Sequence, residues 1–214
     1  MLKNIPIVAI LLLVASAATL QAQTRLNECV PINIKLNLDI SRLPYQRINN
    51  RPKGRTNTLH KGRVVRGQAV QPLDISLDWE LDGLPMRYGG TYCGRIKSVT
   101  LSAGQQPPAI WISPELEDEC LRRAALEHER THVSFFYDYL DELEATLPDV
   151  IASFNRTNAF TAPKEDLMKN FKVVVNEIRN EIQRAQTQAT ERLARQNAGI
   201  DTLEAYDRLQ RACQ

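Results

Sequence analysis

Short apolar runs with a strand-like pattern occupy the chain as far as residue 112. Residues 32–40 and 73–81 alternate between apolar and polar positions, and residues 97–101 and 109–112 flank a segment containing Gly and Pro that is typical of a hairpin loop. Runs of this kind, separated by Gly, Pro and Asn clusters, are typical of β-strands. The pattern therefore predicts a strand-rich part over residues 23–112.

The pattern changes at Ser113, where apolar residues begin to recur three and four positions apart. Ser113 can cap a helix and acidic residues follow it, so we expect a helix that extends to about Leu147 and is ended by the next proline. The chain from residue 164 onward is again helical in pattern, with a break at residues 197–199 before a short final helix. Strands followed by helices predict an α+β fold, a single compact domain whose helical part covers residues 113–214.

The first 22 residues have a different composition from the rest of the chain. Lys3 gives a basic start, residues 5–20 are almost wholly apolar, and small residues follow. This is the form of a secretory signal peptide, and no later segment is apolar over the roughly 20 residues that a membrane-spanning helix needs. We therefore expect cleavage between about Ala17 and Ala22, and a periplasmic or secreted mature protein without a transmembrane segment.

Four cysteines are scattered along the chain: Cys29, Cys93, Cys120 and Cys213. None forms a Cys-x-x-Cys pair, which argues against a thiolate zinc site or a redox pair. In an exported protein, scattered cysteines in even number favour disulfides. Of the three possible connectivities we prefer Cys29 with Cys93 and Cys120 with Cys213, because each pair then stays within one half of the chain.

The net charge of +2 indicates no particular partner, but basic residues are concentrated in one stretch. The segment from Arg42 to Arg66 contains no acidic residue, and its Gly and Pro content predicts a loop. Such a loop can contact an anionic envelope surface. It lacks the interleaved aromatic residues of a single-strand binding platform, so we expect no specific nucleic-acid partner. The basic residues are Arg42, Arg47, Arg51, Lys53, Arg55, Lys61, Arg63 and Arg66.

The candidate chemistry lies in His128-Glu129-Arg130-Thr131-His132. Residues four apart in a helix share one face, so the two imidazoles can hold one metal ion, and zinc accepts this geometry. Glu129 lies beside that face, where it can take a proton from a metal-bound water. The structural alternative is that both histidines belong to an apolar stripe, but burying two imidazoles one turn apart without a partner is costly. The motif therefore predicts Zn²⁺ bound by His128 and His132.

A catalytic zinc needs a third protein ligand. The remaining histidine, His60, lies in the basic loop, which is a poor place for a rigid ligand, so a carboxylate of the last helix is preferred. If the second disulfide pairs that helix with the histidine helix, counting about 100° per residue turns Asp207 toward the histidines. Asp207 is therefore the first choice, and Glu204 and Asp201 are the alternatives.

These features together resemble a known family. The exported chain, the strand-rich first half, Trp111-Ile112-Ser113-Pro114 ahead of the His-Glu-x-x-His helix, and the late Tyr206-Asp207-Arg208 are similar to the predicted secreted zinc-dependent proteases of bacteria, a domain of unknown function. The resemblance implies a zincin-like active-site helix and zinc-dependent hydrolysis of peptide bonds.

The leading functional prediction is an exported zinc metallopeptidase with a peptide or protein substrate. An extended substrate is expected to add as a strand to the hairpin edge between residues 97 and 112. Two alternatives remain open at this point. One is a non-catalytic envelope binding protein that keeps the fold, and the other is a zinc amidohydrolase that acts on the cell wall.

Overall fold

The computed structural model describes residues 28–52, 67–86 and 90–214, and this part contains seven strands and three helices. The strands are β1 Lys35–Ile40, β2 Gln46–Ile48, β3 Gly67–Val70, β4 Ile75–Pro85, β5 Thr91–Ala103, β6 Ala109–Ile112 and β7 Ala159–Pro163. The helices are α1 Glu119–Ser153, α2 Leu167–Ile200 and α3 Leu203–Arg211. Strands fill mostly the first half and helices the second, which confirms the predicted α+β class.

Several predicted features fall on residues outside this part of the chain. The signal peptide, residues 1–22, is one of them, and His60 and most of the basic loop lie in the undescribed segment 53–66. None of the described helices has the length and apolarity needed to cross a membrane.

The strands form two sheets. In the first, the strand order is β1-β5-β4, and β7 also pairs with β5 in antiparallel orientation. In the second, the order is β2-β6-β3, with β2 parallel and β3 antiparallel to β6. The predicted hairpin of residues 97–112 is therefore wrong, because β5 and β6 belong to different sheets. Both strands are central in their sheets, so neither offers the open edge expected for a substrate.

Gly104 marks the point at which the chain leaves the first sheet. Its φ of 69° lies in the left-handed region, and the carbonyl oxygen of Ser41 occupies the space that a side chain would need. The Ser41 N–H in turn donates to the carbonyl oxygen of Ala103 at 3.0 Å, so β1 and the end of β5 stay paired up to the turn. A hairpin signal in the sequence thus corresponds to a crossover between sheets.

The chain divides into two compact units, each drawing on both the strand-rich and the helical part of the sequence. The first unit comprises the described residues up to Lys35, Trp79–Val99 and Ala152–Ile178. Within it, a disulfide links Cys29 to Cys93 of β5, as predicted. The ring of Phe160 packs edge-on against a second phenylalanine of the unit's core, in space that Gly94 leaves free.

The second unit comprises Leu36–Asp78, Thr100–Ile151 and Arg179–Gln214, and α1 supplies much of its core. The buried face of α1 recurs at every third or fourth residue, as expected for a helix with one side in a core. Its predicted disulfide, Cys120–Cys213, joins the first turn of α1 to the residues that follow α3. Along the buried face lie His128, His132, Phe136, Leu140, Leu143, Leu147 and Ile151.

Both predicted ends of α1 require correction. The helix begins at Glu119 rather than Ser113, because the carboxylate of Asp118 accepts the N–H of Leu121 at 2.8 Å and so caps the first turn. The helix also continues through Pro148 to Ser153. Pro148 removes one helical hydrogen bond, but the fully buried residues around it hold the helix in the core.

Gly104→Ala is expected to destabilise the protein, because it combines left-handed strain with a clash against the Ser41 carbonyl. Gly90→Ala is the matched control: Gly90 has a φ of 66°, and a side chain there would meet nothing within 4 Å. We expect the control to cost about 1–2 kcal/mol from left-handed strain, and Gly104→Ala to cost about 3 kcal/mol or more in denaturant unfolding. Equal losses for the two variants would contradict the proposed close approach.

Candidate metal centre

Three ligand atoms converge in the second unit. His128 and His132 lie one turn apart on α1, and Asp201 directly follows the last residue of α2. The Oδ1 atom of Asp201 lies 3.0 Å from the Nε2 atom of each histidine, and the two Nε2 atoms are 3.2 Å apart. Both histidines are buried, with exposed fractions of 9% and 8%. Each of the three side chains therefore directs one atom that can bind a cation toward the same point.

The spacing of these atoms fits a zinc ion. Imidazole nitrogens bind zinc at about 2.0–2.1 Å, so neighbouring ligand atoms of a tetrahedral site are separated by roughly 3.3 Å. The observed separations of 3.0–3.2 Å are close to that value. Two imidazoles and a carboxylate are also a ligand set found in catalytic zinc sites.

A second group of potential ligands in the described part of the chain does not fit a metal. It consists of Asp118, Cys120 and Cys213. Its two sulfur atoms are joined in a disulfide, so they are not thiolates and cannot act as zinc ligands. The His-His-Asp group is therefore the candidate metal centre.

Asp201, one of the two alternatives from the sequence, completes the candidate group, whereas Asp207, the first choice, lies outside it. The prediction counted residues along one unbroken helix that runs back from Cys213. In the structure that helix begins only at Leu203, and the extended Thr202 caps it by accepting the N–H of Ala205 at 3.2 Å. Asp201 precedes the cap and does not share the rotation of α3, which is why the count wrongly turned it away from the histidines. Glu204 in the first turn of α3 is exposed and also lies outside the group.

Glu129 lies against strand β3, where the packing is close. Its exposed fraction is 5%, and the main-chain N–H of Ala69 donates to its carboxylate. A side chain at Gly67 would come within 2.8 Å of Glu129 Oε1, so this position has room only for glycine. Burial raises the pKa of Glu129, although the two nearby histidines partly counteract this. The predicted base is thus a buried carboxylate beside the cluster and is not one of its ligands.

Tyr206 of α3 is a further polar group at the cluster. Its hydroxyl donates to Asp201 Oδ1 at 3.2 Å and lies 3.4 Å from His128 Nε2. Burial and the negative charge of Asp201 raise the pKa of Tyr206 well above its ordinary value, so the phenol stays protonated. The hydroxyl therefore helps to hold the carboxylate in place.

The cluster favours a positive charge at its centre. Burial lowers the pKa of His132, but the hydrogen bonds with Asp201 and Asn197 outweigh this and raise it above the ordinary value. For Asp201 the two effects have the opposite signs. Burial raises its pKa, but the hydrogen bonds with the two histidines outweigh this and lower the pKa far below its ordinary range. A proton or a metal ion can supply the positive charge, and the two compete for the same nitrogen.

Sequence reasoning missed Gln71, Asn197 and the contacts of Tyr206. Asn197 was interpreted as part of a helix break, although α2 continues to Ile200. It precedes Asp201 by four residues, the same spacing as the two histidines, and this was an available signal that both face one site. Gln71, which follows β3, carries no comparable signal in the sequence.

Comparison of the chain with protein-family models, with curated proteins and with solved structures gave no match. The resemblance to secreted zinc-dependent proteases therefore stays a prediction. The functional proposal therefore rests on the geometry of the cluster.

The ligand set is tested by zinc content. Wild-type protein should bind about one zinc per chain, as a mononuclear site does, and His128→Ala, His132→Ala and Asp201→Ala should each lose it. Asp207→Ala is the matched control and should keep zinc, because Asp207 lies outside the group of ligand atoms. Elemental analysis after dialysis against zinc measures all of them. Loss of zinc in Asp207→Ala but not in Asp201→Ala would restore the original assignment.

Proposed function

We propose that this protein is an exported zinc-dependent hydrolase that cleaves peptide bonds. The observation that carries the proposal is the convergence of His128, His132 and Asp201 within 3.2 Å, beside the buried carboxylate of Glu129. Three ligands and an adjacent carboxylate base are what metal-assisted hydrolysis of an amide requires.

The three ligand side chains would hold the metal through His128 Nε2, His132 Nε2 and Asp201 Oδ1. A zinc ion bound there supplies Lewis acidity, which lowers the pKa of a water molecule and polarises a carbonyl group. Tyr206 fixes the orientation of the Asp201 carboxylate through its hydroxyl. The ligands are thus held from two sides, by α1 and by the joint between α2 and α3.

Glu129 is the proposed general base and then the general acid. Its carboxylate takes the proton of the attacking water and passes it to the leaving amine. Gly67 and the N–H of Ala69 set the position of the carboxylate, so β3 takes part in the catalytic geometry.

The two disulfides support a location outside the cytoplasm. Disulfides persist in oxidising compartments such as the periplasm or the extracellular space, and both units contain one. Together with the expected signal peptide, this favours a periplasmic or secreted protein.

A specific observation also favours a second candidate, a metal-binding protein without catalysis. The hydroxyl of Tyr206 lies 3.2 Å and 3.4 Å from two of the three ligand atoms. These separations are close to the roughly 3.3 Å expected between zinc ligands, so the phenol stands near the position of a fourth ligand. A site closed in this way would leave no position for water or substrate.

The change Glu129→Gln separates the two candidates. The amide keeps the shape of the side chain but cannot accept a proton, so hydrolysis should fall by about 10²–10⁴-fold while zinc content stays at the wild-type level. Glu127→Gln is the matched control, because Glu127 is an exposed carboxylate two residues away that pairs with Arg130. Zinc content and cleavage of a peptide library are measured on all three proteins.

Unchanged hydrolysis in Glu129→Gln would rule out the proposed base. A wild-type protein that binds zinc but cleaves no peptide in the library would instead favour the non-catalytic candidate.

A further inference from the structure

His132 forms hydrogen bonds, through its main-chain carbonyl and its ring, with two amide side chains, the buried Gln71 and the half-buried Asn197. Gln71 Nε2 donates to the main-chain carbonyl oxygen of His132 at 2.5 Å. Asn197 Nδ2 donates to Gln71 Oε1 at 3.3 Å, and Asn197 Oδ1 lies 2.7 Å from His132 Nδ1. The three residues form a closed relay that begins at the carbonyl of His132 and ends at its own imidazole.

The chemistry of the carbonyl fixes the direction of every bond in this relay. A carbonyl oxygen only accepts, so the Gln71 atom beside it must be the amide nitrogen, and Gln71 Oε1 therefore faces Asn197. An oxygen in that place requires Asn197 to present its amide nitrogen, which turns Asn197 Oδ1 toward His132. Because Asn197 Oδ1 only accepts, His132 Nδ1 must carry the hydrogen.

A second arrangement of the same groups would close the site to a cation. If Asn197 were turned over, its nitrogen would donate to His132 Nδ1, and the hydrogen of the neutral imidazole would move to Nε2. That hydrogen would then bond to Asp201 Oδ1, 3.0 Å away, and no lone pair would remain for a metal. Asp201 favours this arrangement, because its carboxylate would accept the hydrogen on Nε2. Gln71 opposes it, because a turned Asn197 would place its oxygen against Gln71 Oε1.

We propose that Gln71 and Asn197 are positioning residues that hold His132 in the tautomer with hydrogen on Nδ1, so that its Nε2 lone pair is available to a cation. The consequence for zinc affinity rests on the proposed function, whereas the tautomer itself does not. Neither residue touches the cation position. Gln71 acts on the imidazole only through Asn197.

The tautomer is tested directly on metal-free protein labelled with ¹⁵N-histidine. Spectra are recorded at increasing pH until the ring is neutral, because the pKa of His132 lies above its ordinary value. The two nitrogens of a neutral ring are then distinguishable. Wild-type His132 should show hydrogen on Nδ1. Gln71→Leu should shift the population toward hydrogen on Nε2, although Gln71 makes no contact with the ring.

Zinc affinity, measured by competition with a chelator, provides the second readout. Gln71→Leu and Asn197→Leu should each weaken zinc binding about 10–100-fold, as loss of a partner behind a metal ligand does. The double variant should be no weaker than the worse single one, because the two amides act as one unit.

The matched control is Gln186→Leu. Gln186 also donates its amide nitrogen to a main-chain carbonyl, that of Leu73 at 2.9 Å, and it lies on the same helix as Asn197. This variant loses a hydrogen bond of the same kind without breaking the relay. It should leave both the His132 tautomer and the zinc affinity unchanged.

Hydrogen on His132 Nε2 in the wild-type protein, or a tautomer that does not respond to Gln71→Leu, would overturn the proposal. If Gln71→Leu does not fold, Asn197→Leu carries the same test, because the ring then loses its acceptor at Nδ1. A wild-type protein that shows the Nδ1 tautomer but binds no zinc would contradict the proposed function and leave the relay standing.

Discussion

The buried face of α1 is the constraint on which the core of the second unit and its candidate metal centre both depend. One stripe of the helix carries Phe136 and Leu140 into the core and continues, at the same spacing, to His132 and His128. Apolar side chains pack there without further conditions, but two buried imidazoles require polar partners. The surrounding elements of the unit supply these partners.

The joint between α2 and α3 supplies the negative partner. Thr202 caps α3, so α2 and α3 are separate helices and Asp201 lies between them. There the Asp201 carboxylate contacts both imidazoles. The end of β3 supplies the neutral partners, because Gln71 follows that strand directly. Helices and strand thus meet at His132, which contacts a carboxylate on one nitrogen and an amide oxygen on the other.

The surroundings of the two carboxylates of the site shift their pKa values in opposite directions. The two histidines hold the pKa of Asp201 low and keep it ionised despite burial, and Tyr206 donates a hydrogen bond to it. Glu129 is more deeply buried, so its pKa moves in the opposite direction, although the hydrogen bond from the N–H of Ala69 partly counteracts this. A carboxylate held ionised suits a metal ligand, and one with a raised pKa suits proton transfer. The difference arises from environment and not from residue type.

The sequence by itself determined the features that depend on local spacing. The helical repeat places His128, Glu129 and His132 together whatever surrounds them, and the division of the chain into strands and helices follows from periodicity. The third ligand and the relay through Gln71 and Asn197 were decided only by the tertiary structure. They join residues more than 60 positions apart, and their placement depends on where one helix ends, how the next is capped, and which strand edge packs beside α1.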